Sequence, residues 1–219
     1  MRTLRLLALA TVLAAAPHVP AWALGPVDGE VTVLYWNSDT DAFGASESSS
    51  AVGGRAELWF IKKLGVSAGI YRPEPDGSLD GLEFDYKNLD VKWRLISPTE
   101  NNFLAVGAGW QLVDIDFGGF DTDTSGLRLV AEGRVGLVNI LYLYGRAAYL
   151  PSLDDLDTGL ITLTDGKGKE FEFGLQLKPM PFIQFFAGFR SHEDNFEGPF
   201  GADVDFKHDG IVAGAGVNF

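Results

Sequence analysis

From about residue 30 to Phe219 the chain alternates apolar and polar side chains with a period of two. Helices repeat every 3.6 residues, so the pattern describes strands with two unlike faces. In the last segment Ile211, Ala213, Ala215, Val217 and Phe219 share one face, and Gly210, Gly214, Gly216 and Asn218 share the other. Leu89, Val91, Trp93 and Leu95 alternate with Asp90, Lys92 and Arg94 in the same way. The pattern predicts ten strands, over 30–38, 50–61, 64–72, 82–96, 103–117, 125–138, 140–150, 168–178, 182–192 and 204–219. The first is apolar on both faces. The period slips near Trp110 and at Lys87-Asn88, which predicts bulges.

Proline cannot donate to a ladder, so it marks strand ends. Pro26, Pro73, Pro75, Pro98, Pro151, Pro179, Pro181 and Pro199 all fall between or at the edges of these strands. The connections alternate in length. Short turns are expected at Lys62-Lys63, 97–102, Val138-Asn139 and 179–181, and longer polar loops over 39–49, 73–81, 118–124, 151–167 and 193–203. Short-then-long alternation is the habit of a bacterial outer-membrane barrel with both termini in the periplasm. The expected fold is therefore all-β: a transmembrane up-and-down antiparallel β-barrel of about ten strands, with eight as the alternative.

Which face points inward is decided by charge and aromatics. One face carries Arg55, Glu57, Asp90, Lys92, Arg94, Arg128, Glu132, Arg134, Arg146, Glu170, Glu172 and Arg190. Both signs are present in near balance, so these groups can pair inside a narrow lumen. The other face carries aromatics near strand ends: Phe60, Trp93, Phe103 and Phe219 at one rim, and Tyr35, Phe84, Phe117, Tyr149, Phe171 and Phe189 at the other. Two such girdles mark the interfaces of a bilayer. A soluble barrel is the competing reading, and it would send the apolar face inward. The formal net charge of −13 argues against a nucleic-acid partner. The absence of cysteine suits passage through an oxidising compartment.

Arg2 and Arg5, then the apolar run from Leu6 to Ala16, then Ala21-Trp22-Ala23 have the layout of a signal peptide. Residues 1–23 are expected to be removed, leaving 24–219 as a barrel domain located in the cell outer membrane.

The C-terminal strand, with Ile211, Ala213, Ala215, Val217 and terminal Phe219, resembles the assembly signal of Gram-negative outer-membrane proteins. That resemblance implies recognition by the outer-membrane assembly machinery. A narrower set, Leu143-Tyr144-Gly145, Tyr149-Leu150-Pro151-Ser152-Leu153, Asp209-Gly210 and Gly216-Val217-Asn218-Phe219, is similar to the C-terminal half of YfaZ-type outer-membrane proteins. It implies localisation and carries no mechanism.

Candidate chemistry is sparse. His192 and His208 are expected as solvated residues at the outer rim, near Ser191, Glu193, Asp194 and Asp209. Ser191 and His192 are adjacent and face opposite ways, which works against a nucleophile–base pair. No catalytic or metal-binding residue is assigned and no cofactor is expected. The acidic loops suit hard divalent cations that would bridge to lipopolysaccharide phosphates, or they simply remain solvated. The expected function is a non-enzymatic barrel of structural or surface-interaction type, in contact with outer-membrane lipid and lipopolysaccharide. A narrow pore for small polar solutes is the alternative, and a lipid- or peptide-modifying hydrolase at the rim is the second.

Overall fold

The computed structural model describes residues 27–60, 62–99, 101–117, 120–157 and 162–219. The expected signal peptide lies outside them. Ten long strands close into one antiparallel ring: β1 (Val27–Ala42), β2 (Ala45–Phe60), β3 (Leu64–Pro75), β4 (Leu82–Thr99), β5 (Asn102–Phe117), β6 (Phe120–Val138), β7 (Leu141–Leu153), β9 (Thr162–Met180), β10 (Ile183–Glu197) and β11 (Asp203–Asn218). The two-residue strand β8 (Leu156–Asp157) folds back on β9 in a connection. β1 pairs with β11 from Glu30↔Asn218 to Ala42↔Phe206, which closes the ring. Gly29 and Phe219 exchange both backbone hydrogen bonds at the seam, at 2.8 and 2.9 Å.

The strands run well past the expected boundaries at the end opposite the termini. A 16-residue strand spans ~54 Å, whereas crossing the hydrocarbon takes only about 9–11 tilted residues. The first long loop, expected over 39–49, shrinks to Phe43-Gly44, with φ of 53° and 79°. Positive φ at both centres is what a two-residue hairpin turn requires, and Gly44 supplies one at no steric cost.

Neither expected bulge exists. Register runs unbroken through Leu89↔Trp110 and Gly69↔Asn88. At neither place does the alternation slip; the chemistry of the two faces changes hands instead. Along β5 the outward row reads Leu104, Val106, Ala108, Trp110, Leu112 and then Asp114 and Asp116, while the inward row ends on Val113 and Ile115. In β4 the inward row passes from Arg94, Lys92 and Asp90 to Tyr86 and Phe84. Within the bilayer zone the outside is apolar and the inside charged. Beyond it the outside meets water and the inside becomes an apolar core. That exchange is why acidic strand ends read as loops in the sequence.

The exterior belt is exposed and apolar on every strand, with Leu89, Trp110, Phe173 and Ile211 each about half exposed. Among the described residues no helix is long and apolar enough to cross a membrane, which says nothing about strands. The closed ring leaves no strand edge, and a polar interior beneath an apolar exterior is the arrangement hydrocarbon demands. Two residues expected in the girdles are not there. Phe84 and Phe103 point inward and are buried. Both sit in phase with the inward rows of their strands.

A charge placed on the belt should be costly and one placed beyond it should not. Ala108→Arg at the middle of the β5 belt is expected to lose ~2–4 kcal/mol of stability. Asp123→Arg, exposed beyond the belt, should stay within ~0.5 kcal/mol of the parent. Urea titration of the barrel folded in phospholipid vesicles compares the two.

Candidate functional site

The lumen is layered along the barrel axis. At the level of the belt, all twelve charged residues singled out in the sequence point inward. Cross-strand register places Glu132 opposite Arg146, Arg146 opposite Glu172, and Glu172 opposite Arg190, so four strands present charges of alternating sign in one row. Their contacts interlock. Arg146 reaches Glu132 at 3.2 Å and Glu172 at 3.6 Å, Arg55 reaches Glu172 at 3.1 Å, and Arg190 reaches Glu170 at 2.9 Å. Lys92 bridges Glu57 at 2.5 Å and Glu132 at 2.8 Å. Arg128 bridges Asp90 at 3.3 Å and Glu170 at 2.8 Å.

Glu30 belongs to the same network, accepting from Arg134 at 3.0 Å and Arg146 at 3.5 Å. It was missed because the first strand looks apolar on both faces, although its phase with Thr32 marks it as inward. Glycine makes room for the side chains that cross the lumen: a Cβ on Gly109 would collide with the Asp90 carboxylate. Between these groups the interior leaves a cavity of about 30 Å³, the volume of roughly one water molecule.

The next layer is aromatic and holds both histidines. His192 and His208 are fully buried, which corrects the expectation of solvated rim residues. The strands carry them inward where a shorter barrel would have ended. His192 Nε2 faces the Asp194 carboxylate at 2.9 Å, so that nitrogen donates. In the neutral ring Nδ1 then accepts the Tyr71 hydroxyl at 3.0 Å. His208 lies between the hydroxyls of Thr40 at 2.8 Å and Tyr86 at 3.2 Å. Tyr71 stacks on Tyr86 at 4.9 Å, and the Arg190 guanidinium lies 3.8 Å from the Tyr71 ring. That contact joins this layer to the charged one. The inward phase of Trp36, Tyr71 and Tyr86 was the available sequence signal for the cluster.

Above the histidines an apolar core closes the far end. Leu79, Leu82, Phe84, Ile115, Leu150, Leu153, Leu156, Leu163, Phe196 and Phe206 are buried there in one cluster. The short β8 hairpin contributes Leu156, paired with Leu163.

Outside this end, acidic residues form rows across three strands. Asp85, Asp114 and Asp123 are register partners, as are Glu83, Asp116 and Asp121. Like charges directly opposed repel. Lys87 and Arg72 offset part of this, with Lys87 at 2.5 Å from Asp114 and Arg72 at 2.7 Å from Asp85. Among the described residues no group of three or more acidic or histidine side chains is placed to hold a metal ion. Partial burial pushes the Asp85 carboxyl up, but hydrogen bonds and charge from Arg72 and Lys87 outweigh it and hold it below the ordinary carboxylate range.

At the opposite end, by the termini, the lumen opens into a vestibule of about 770 Å³ whose walls include Glu30, Trp59, Arg94, Arg134, Tyr142 and Lys178. Arg94, one of the twelve, lies here, 3.9 Å from the Trp59 ring and 4.5 Å from Phe103. The assembly-signal residues Ile211, Ala213, Ala215, Val217 and Phe219 lie on the outer face of β11, with Ile211 and Phe219 exposed.

Glu172→Gln would leave Arg55, Arg146 and Arg190 short of one buried carboxylate. The expected loss is ~3–5 kcal/mol, read by urea unfolding in vesicles. For Asp85 the folded pKa is depressed, so its contribution is present above the unfolded value and is lost as pH falls through the folded one. Its carboxyl resonance should titrate below the usual range, and the shift should vanish in Arg72→Ala combined with Lys87→Ala.

No protein-family model and no curated protein sequence matches the chain. Among solved structures, the outer membrane protease OmpT of Escherichia coli is similar over 88% of this chain and 96% of its own, with a TM-score of 0.55 at 8% identity. Neisserial surface protein A matches over 87% and 97%, with a TM-score of 0.48 at 13% identity. An outer membrane channel of Pseudomonas putida F1 matches over 88% and 95%, with a TM-score of 0.48 at 12% identity. At these identities the likeness is one of fold, and the protein has the closed antiparallel barrel fold found in outer-membrane proteins.

Proposed function

We propose that this protein is an integral outer-membrane barrel of structural or surface-interaction type that does not conduct. The observation that carries the reading is the double closure of the lumen. A salt-bridged layer crosses it at bilayer depth, and an apolar core fills it toward the far end. An ion on this path would have to separate several buried pairs and then traverse hydrocarbon side chains, each step costing several kcal/mol.

The far end, with its rows of carboxylates, is the surface that would meet lipopolysaccharide, with divalent cations shared between the carboxylates and lipid phosphates. The exposed β11 row ending on Phe219 would serve as the handle for the assembly machinery. Resemblance to YfaZ-type proteins adds a location and no reaction. A rim hydrolase is disfavoured because His192 and His208 lie beneath the apolar core, with the Ser191 side chain on the opposite face of its strand.

Planar-bilayer recording on the refolded mature chain tests the reading, with folding checked first by a heat-dependent gel shift. No discrete current steps are expected at moderate voltage. Reproducible single-channel steps would overturn the closed-lumen reading and favour a pore.

A further inference from the structure

Among the described residues lining the vestibule by the termini, the three cations Arg94, Arg134 and Lys178 outnumber the two carboxylates Asp28 and Glu30. Arg94 is 3% exposed. Buried guanidinium groups ordinarily meet a carboxylate. Arg94 instead donates from Nη1 to the Lys62 carbonyl at 3.3 Å, its Nε has no hydrogen-bond partner, and among the described residues no carboxylate lies within ion-pair distance of it. Lys178, on β9 across the vestibule from β4, donates to the Asn101 side-chain oxygen at 3.1 Å and lies 5.9 Å from the Tyr142 ring. Arg134, the third cation of the mouth, is taken up by Glu30.

Among the described residues, then, two cations with no carboxylate within ion-pair distance border a cavity of about 770 Å³, within the ordinary size of a small-molecule site. The remaining walls are largely apolar and aromatic, with Trp59, Ile140, Tyr142 and Phe182. Such walls favour a ligand with a hydrocarbon body. Glu30 and Asp28 also line the cavity, and their charge penalises a doubly ionised headgroup more than a singly ionised one.

We propose that the vestibule binds a small organic monocarboxylate, with its carboxylate on Arg94 and Lys178 and its apolar body against the aromatic wall. A planar carboxylate matches the donor fork of a guanidinium already oriented by its stacking on Trp59. The proposal is independent of whether the lumen conducts, because the cavity lies on the near side of the salt-bridged layer.

Isothermal titration calorimetry on the folded barrel in zwitterionic detergent tests it with three probes: 3-phenylpropionate, the uncharged 3-phenylpropanol and inorganic phosphate. The expected result is saturable binding of 3-phenylpropionate, at least tenfold tighter than either other probe. Arg94→Gln and Lys178→Met should each weaken the carboxylate at least fivefold and leave the alcohol unchanged. The gel shift confirms the fold of each variant, and if Arg94→Gln fails to fold, Lys178→Met at the open mouth carries the test. Equal binding of acid and alcohol would show apolar partitioning alone and overturn the proposal. So would phosphate binding as tightly as the acid, or a carboxylate affinity that neither substitution changes.

Discussion

The mutual neutralisation of charge inside the barrel is the constraint on which the rest depends. The exterior must be apolar to sit in lipid, so polar residues at bilayer depth have only the lumen to occupy. An isolated ion there would be prohibitively costly, whereas one opposed by register is tolerable. The row from Glu132 through Arg146 and Glu172 to Arg190 meets this condition geometrically, since each charge faces its opposite across a ladder. Lys92 and Arg128 then tie the opposite wall into the same network, with Lys92 touching Glu57 and Glu132 and Arg128 touching Asp90 and Glu170.

Much of this was legible in the sequence because strand alternation is local. A residue's parity with its neighbours assigns its face, and parity alone put the twelve charged residues on one wall. Pairing was beyond reach. That Arg55 meets Glu172 rather than Glu57 depends on the curvature of the ring, which brings β2 and β9 face to face. The first strand hid Glu30 because its two faces are both rich in apolar residues, one lining the lumen and one facing lipid. Trp110 and Lys87-Asn88 misled for a related reason. The eye follows hydrophobicity, and at the edge of the bilayer hydrophobicity moves from one face to the other while the backbone keeps its period.

The same exchange explains the histidines. Read as rim residues at the outer ends of their strands, His192 and His208 belong to solvent; on strands that continue past the lipid they belong to a second, soluble-style core. Their partners come from strands distant in sequence, Tyr71 on β3, Tyr86 on β4 and Thr40 on β1, so no local motif announces them. The barrel thus combines two folding problems in one wall: a membrane protein with a polar interior, and above it a small water-facing domain with an apolar one.

The seam between β1 and β11 sets the order in which such a molecule can be made. These strands are the first and last of the described residues, yet their pairing is what removes the last free edges. Until they meet, each offers an unpaired row of amides and carbonyls that another chain could capture. Joining them costs loop-closure entropy that grows only slowly with length, so the expense lies in waiting rather than in distance. The barrel therefore cannot be completed strand by strand as the chain emerges: the ring stays open until Phe219 reaches Gly29.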